Sequence, residues 1–225
     1  MQLISLPVSE QLILTLAALI LFTSFLLLAQ TRLVTLIHTF ALQGGLLFLT
    51  TVLVAIASGR HHLLISAALT LGLKVFFIPW QLRLLVVRLD IRREVEVVGN
   101  ASLIMIGAGA LTLFSYYVAL PIRELSLLST RNTIAISLAV ILIGMLMIIT
   151  RRKAVTQVIG FMSMENGLMF AAVAATHGMP MVVELGVALD VLVAAILFGI
   201  FFFHIRSEFG SLDVDRLNRL NEVDR

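Results

Sequence analysis

Long apolar runs alternate with short charged ones along this chain, and the apolar runs have membrane length. A helix needs about 20 apolar residues to cross a hydrocarbon core about 30 Å thick. Seven stretches meet that need, at roughly 11–30, 33–57, 62–84, 100–120, 132–150, 154–176 and 180–205. The first lacks a preceding basic residue, and its apolar run is too long for a signal-peptide core, so it reads as a helix that stays. The expected fold class is therefore an all-α integral membrane protein of about seven transmembrane helices.

Loop charge gives the sequence an orientation. On the N-terminal side of the membrane fall Arg60, Arg123 and Arg131, three residues against twelve on the other side: Arg32, Arg83, Arg88, Arg92, Arg93, Arg151, Arg152, Lys153, Arg206, Arg216, Arg219 and Arg225. Short loops rich in Lys and Arg stay in the cytoplasm, so the N-terminus is expected outside (periplasmic in a Gram-negative cell) and the C-terminus inside, in a bacterial inner membrane. The longest internal loop, Arg83 to Gly99, mixes Arg with Asp90, Glu94 and Glu96. It reads as a solvated connector, with an interfacial helix or a docking surface as the alternative.

Composition agrees. Hydrophobic residues make up 60% of the chain, charged ones 13%, and the mean hydropathy is +1.08. A soluble domain carries roughly twice that charged fraction. A net charge of +3 invites a nucleic-acid reading, but the basic residues sit in short loops between apolar runs. The chain has no cysteine, which excludes disulfides and cysteine-ligated zinc or iron–sulfur clusters within it. No cofactor is expected.

Sliding the chain by 122 residues lays the first three helices over the last three. Leu42–Phe48 (LQGGLLF) falls on Met164–Phe170 (MENGLMF), Leu36-Ile37 on Val158-Ile159, and His62 on Glu184. One helix separates the triplets, so the copies are displaced by an even number of crossings and lie parallel. The expected organisation is an N-terminal three-helix repeat with its cytoplasmic loop (1–99), a linking helix (100–130), a C-terminal repeat (131–206) and a cytoplasmic tail (207–225).

Charged side chains at mid-membrane cost about 2.5–3.5 kcal/mol each and so need a partner, a hydrated cavity or a role. Lys74, Glu165 and Asp190 fall roughly 15–18 Å into their helices, close to the midplane on three different helices. If they meet, Lys74 can neutralise one acid and leave the other to titrate; the alternative is a static ion pair that locks the bundle. Glu184 lies nearer the outer end of the last helix, six residues before Asp190, and reads equally as a proton entry or exit group or as a carboxylate reaching interfacial water. His38, near the cytoplasmic end of the second helix, is a possible relay, though a hydrogen-bonded packing role is the more ordinary one. Gln43 and Asn166 read as polar glue between helices. A haem held by His38 and His204 is not expected, because His204 sits at a helix end beside Arg206 where it can reach the interface. Pro79 removes a backbone bond and should kink the third helix just past Lys74.

These residues carry a resemblance. IGFMSMENGLMF (Ile159–Phe170), MVVELGVALDVLVAAILFGI (Met181–Ile200) and the tail GSLDVDRLNRL resemble the E subunit of hydrogenase-4, of the formate hydrogenlyase-type membrane hydrogenases, and LKVFFIP (Leu73–Pro79) resembles that family's third helix. The last three helices also resemble the K subunit of respiratory complex I and the C subunit of multisubunit cation/proton antiporters. The resemblance implies a subunit of a complex in which a cytoplasmic hydrogenase-type redox arm, a membrane anchor and antiporter-like subunits are coupled, with buried acids of this subunit in the proton path. In the K subunit one acid precedes the helix's Asn by four positions; here that slot is Met162, and the acid is Glu165. The second K-type acid falls on Asp190, while Glu184 matches the hydrogenase-4 pattern alone. The reading that follows is a proton-path subunit using Glu165 and Asp190 as relays, Lys74 as their modulator, and Glu184 and His38 as access groups. The alternatives are a structural scaffold and the small subunit of an antiporter without a redox arm.

Overall fold

The computed structural model describes residues 8–59, 62–88, 95, 99–121, 128–175, 186, 188–197 and 199. These residues form helices α1 (Val8–Ala29), α2 (Leu33–Ser58), α3 (His62–Thr70), α4 (Ile78–Arg88), α5 (Ala101–Ala119), α6 (Leu128–Thr150) and α7 (Ala154–Phe170). A π-helical stretch, Leu71–Phe77, joins α3 to α4, and a second, Ala171–Ala175, continues α7. A short apolar helix, α8, covers Ala188–Leu197. No β-strand occurs among the described residues.

Five helices are long and apolar enough to cross a membrane: Val8–Ala29, Leu33–Ser58, Leu63–Val87, Ala101–Ala119 and Asn132–Thr150. They coincide with the first five apolar runs predicted above. The sixth run is helical from Ala154 to Ala175. Of the seventh, α8 is described, and Glu184, the tail and the charged loop residues Asp90, Glu94 and Glu96 lie outside the described residues.

Local chemistry explains several boundaries. Gly59, at φ 67°, ends α2 in the left-handed conformation that glycine adopts without a Cβ penalty, and its N–H bonds the Ala55 carbonyl. Asn100 caps α5 by accepting from the Ser102 N–H at 3.0 Å. Within the apolar helices, Thr39, Thr50, Thr51, Ser115 and Ser137 donate to their own carbonyls four residues back, so these hydroxyls need no partner from lipid. Pro79 has no N–H to give and its ring crowds the preceding turn. The irregularity falls before the proline and around Lys74: the Ile78 N–H bonds the carbonyl of Leu73, five residues back, in place of the α-helical fourth.

Packing joins the two halves of the chain. α6 packs on α7, α5 and α1, while α2 packs on α1, α7 and the first π-helical stretch. α6 and α7 approach closely because the contact is lined by glycine: a Cβ added at Gly144 would lie 2.7 Å from the backbone nitrogen of Met164. Two apolar layers form. One contains Leu27, Phe40, Ile78 and Met162; the other contains Ile20, Leu47, Leu63 and Met169. On each of α1, α2, the α3–α4 span and α7, these layers bracket the same polar level, at Ser24, Gln43, Lys74 and Glu165-Asn166. At one end of the bundle the turn after α6 meets the turn after α1, which puts Arg32 beside the Arg151-to-Lys153 segment.

Candidate functional site: a buried charge cluster

The polar level is a connected cluster. Lys74 is fully buried, with Glu165 and Asp190 2% and 1% exposed. The Lys74 ammonium is hydrogen-bonded to the Glu165 carboxylate, donates to Asn166 Oδ1 at 2.7 Å, and stands 3.4 Å from Asp190 Oδ1. Depth, which the sequence supplied, is here joined by direction: π-helical Lys74, mid-α7 Glu165 and the start of α8 turn inward to one point.

The widened backbone and a small neighbour make room for the cation. Lys74 lies in the π-helical stretch, and Gly44 of α2 faces it so closely that an added Cβ would stand 3.1 Å from the Lys74 Cβ. Gly186 plays the same part on the far side, where an added Cβ would lie 2.8 Å from Glu165 Oε1.

On one side of the cluster every polar group has a partner. Asn166 Nδ2 donates to Gln43 Oε1 at 3.0 Å, Gln43 Nε2 donates to Ser24 Oγ at 2.8 Å, and Ser24 Oγ donates to the Ile20 carbonyl at 3.0 Å. Lys74 thus heads a line of donors that ends on α1. Gln43 and Asn166, read in the sequence as glue between helices, are also the lining of the charged site. On the other side, Glu165 Oε1 and both oxygens of Asp190 are buried and accept no hydrogen bond among the described residues.

The arrangement has a definite charge count. One ammonium faces two carboxylates, so the fully ionised cluster has one negative charge in excess, and a single added proton cancels it. That proton belongs to the pair of acids jointly, since both contact the same cation. No group of three or more His, Asp or Glu that could hold a metal occurs among the described residues.

His38 does not join the cluster. It is exposed on α2, on a different side from buried Gln43. Met162, at the slot where the K-subunit pattern has its acid, is buried in the apolar layer, one turn from Glu165. Glu184 lies outside the described residues.

One functional-looking residue escaped the sequence reading. Arg151 counted there as a loop charge, yet it is 2% exposed. Its Nη2 donates to the carbonyls of Leu28 at 2.5 Å and Gln30 at 3.3 Å, capping the end of α1. The sequence offered only its position, first in a run of three cations directly after an apolar helix.

Fold and site together define a polytopic helical membrane protein with a buried Lys–Glu–Asp cluster at its centre. An uncharacterized protein of Mycobacterium tuberculosis, Rv0085, is 33% identical over 201 residues, covering 88% of this chain and 91% of that one. The chain belongs to the same family as that mycobacterial protein. Hydrogenase-4 component E of Escherichia coli K12 is 28% identical over 127 residues, 56% of this chain and 58% of the component. The Shigella flexneri component E matches to the same extent. The matched region thus spans less than two thirds of the hydrogenase-4 component. No family model matches the chain, and no solved structure does.

Proposed function

We propose that this protein is a membrane subunit of a hydrogenase-4-like, complex I-related assembly, and that its buried cluster is part of the proton path coupling a cytoplasmic redox arm to ion translocation. The observation that carries the reading is the Lys74 ammonium held between Glu165 and Asp190, all three almost fully buried. A purely structural ion pair needs one acid; the second acid leaves a charge that a proton can cancel. The likeness to hydrogenase-4 component E supplies the context of a multisubunit membrane complex.

In this reading Glu165 and Asp190 exchange a proton, and Lys74 holds the remaining negative charge in place. The Asn166–Gln43–Ser24 line is the fixed wall of the site. His38, on the exposed side of α2, is given no step, and Glu184 keeps its sequence-based role as the outer access group. The seven-helix count, the two parallel triplets and a cytoplasmic C-terminus complete the proposal. The packing of α1 on α6 and of α2 on α7 suits two triplets meeting at their first and second helices. It suits them further that Gln43, the 122-residue counterpart of Glu165, bonds the Asn166 next to it. The partners are antiporter-like membrane subunits, a membrane anchor and a hydrogenase-type arm.

The test is substitution in the assembled complex. Glu165→Gln and Asp190→Asn should each cut coupled proton translocation by about tenfold or more, the scale of losing a positioned proton-transfer group, while the subunits still co-purify. Full translocation in both variants would refute the path and leave the scaffold reading. Co-purification with antiporter subunits and no redox arm would transfer the cluster to a cation/proton antiporter.

A further inference from the structure

A second buried cation stands apart from the central cluster. Arg151 uses Nη2 to cap α1, but its Nε and Nη1 are buried and have no hydrogen-bond partner among the described residues. Burial lowers its pKa from the ordinary guanidinium value. A guanidinium with two free donors under an apolar cover is costly unless an anion meets it.

Beside it lies a cavity of about 50 Å³ whose surface is mostly apolar, from Leu28, Ala29, Ile104 and Met105, with Arg151 and Thr31 also lining it. By volume it holds about four waters, or one phosphate group. The first turn of α5 also opens on it through Ala101, bringing the positive end of a 19-residue helix to the same place. Arg32 and Arg152 are exposed on the neighbouring turns. Cationic donors meet apolar wall at the end of the bundle, where a membrane has its headgroups.

We propose that this cavity binds a phosphate group, with the phosphodiester of an anionic phospholipid as its source. Arg151 donates to the phosphate oxygens from Nε–H or Nη1–H, which lie on different edges of the guanidinium, so each supplies a single charge-assisted bond rather than a fork. The α5 amino end adds its dipole, and Ile104 and Met105 line the start of an acyl chain. Binding there clasps the ends of α1, α5 and α6 together.

The test uses the full-length protein purified in detergent. Dioleoylphosphatidylglycerol, dioleoylphosphatidylcholine or inorganic phosphate is added, and retained ligand is read by native mass spectrometry alongside the thermal unfolding midpoint. Wild type should retain phosphatidylglycerol in preference to phosphatidylcholine. Arg151→Gln should lower that preference about tenfold, the scale of losing charged hydrogen bonds. Because Arg151→Gln also uncaps α1 and can fail to fold, Met105→Trp serves as the second variant: it fills the cavity, leaves Arg151 and its carbonyl contacts in place, and should lower retention to a similar degree. Displacement of phosphatidylglycerol by inorganic phosphate supports the same site and makes the free anion its source. Equal retention of the two lipids by wild type, or unchanged phosphatidylglycerol retention in Met105→Trp, overturns the proposal.

Discussion

Replacing Lys74 by Met keeps most of the side-chain volume and removes the charge. The ammonium is fully buried, bonded to Glu165 and Asn166 and 3.4 Å from Asp190, so the substitution strips the cation from two buried acids at once. Removing one partner of a buried ion pair costs about 3–5 kcal/mol, most of it from the charge left behind. If that is the origin of the cost, then neutralising the acids should give much of it back. The triple variant Lys74→Met, Glu165→Gln, Asp190→Asn should therefore be about 2 kcal/mol more stable than Lys74→Met alone, despite two further substitutions. Reversible unfolding of the purified protein in mixed micelles, followed by helical circular dichroism, measures both. A triple variant as unstable as the single one, or less stable, would refute the view that uncompensated charge dominates. The cluster's value would then lie in packing, and the charge count behind the proton path would lose its force.

Other outcomes follow from the same contacts. Gly144→Ala should lower stability by about 1–3 kcal/mol in the same unfolding assay, since its methyl meets the Met164 backbone at 2.7 Å. Gly44→Ala, whose methyl comes no closer than 3.1 Å to its nearest neighbour, the Lys74 Cβ, should cost less than Gly144→Ala, and the reverse order would count against this packing. Asn166→Leu and Gln43→Leu should each cost about 1–3 kcal/mol, with the double variant cheaper than their sum by about 1 kcal/mol because they share one hydrogen bond. The chain has no cysteine, so single cysteines at Gly59 and Arg152 can be labelled without background; a membrane-impermeant maleimide should reach Arg152→Cys only from the cytoplasmic side and Gly59→Cys only from outside.

Much of this was legible in the sequence because a bilayer imposes one-dimensional constraints. Length sets the helices, and counting residues from a helix end sets depth, so Lys74, Glu165 and Asp190 could be assigned a common level before any contact was seen. Direction around each helix was not legible. An amphipathic soluble helix declares its buried side by polarity, whereas here apolar residues such as Leu42, Leu49 and Leu113 face outward and equally apolar ones face in. Whether the three charges meet therefore had to come from the structure. Helix twist was a second blind spot: Pro79 signalled a disturbance, and the π-helical stretch around Lys74 absorbed it upstream of the expected kink. Arg151 was the third, since a cation at the end of an apolar run looks the same whether it faces water or caps the end of a neighbouring helix.

The asymmetry of the cluster bears on where its chemistry lies. From Lys74 toward α1, each group donates to the next: ammonium to Asn166, Asn166 to Gln43, Gln43 to Ser24, Ser24 to the Ile20 carbonyl. Reversing either amide would turn an NH2 group toward a donor that now meets an oxygen, so the cation fixes the sense of the whole line and the line in turn holds the cation. That wall is made of neutral amides and a hydroxyl, none basic enough to hold a moving proton. The free acceptors among the described residues, Glu165 Oε1 and both Asp190 oxygens, all lie on the opposite side, where Gly186 packs against Met169 Sδ and Glu165 Oε1. On the proposed proton path, the entry is therefore expected from the α8 side. It follows that Gly186→Ala, whose methyl meets the Met169 side chain and stands 2.8 Å from Glu165 Oε1, should slow coupled proton transfer while the Lys74–Asn166–Gln43 line stays intact. Full translocation in an assembled Gly186→Ala complex would place the entry elsewhere.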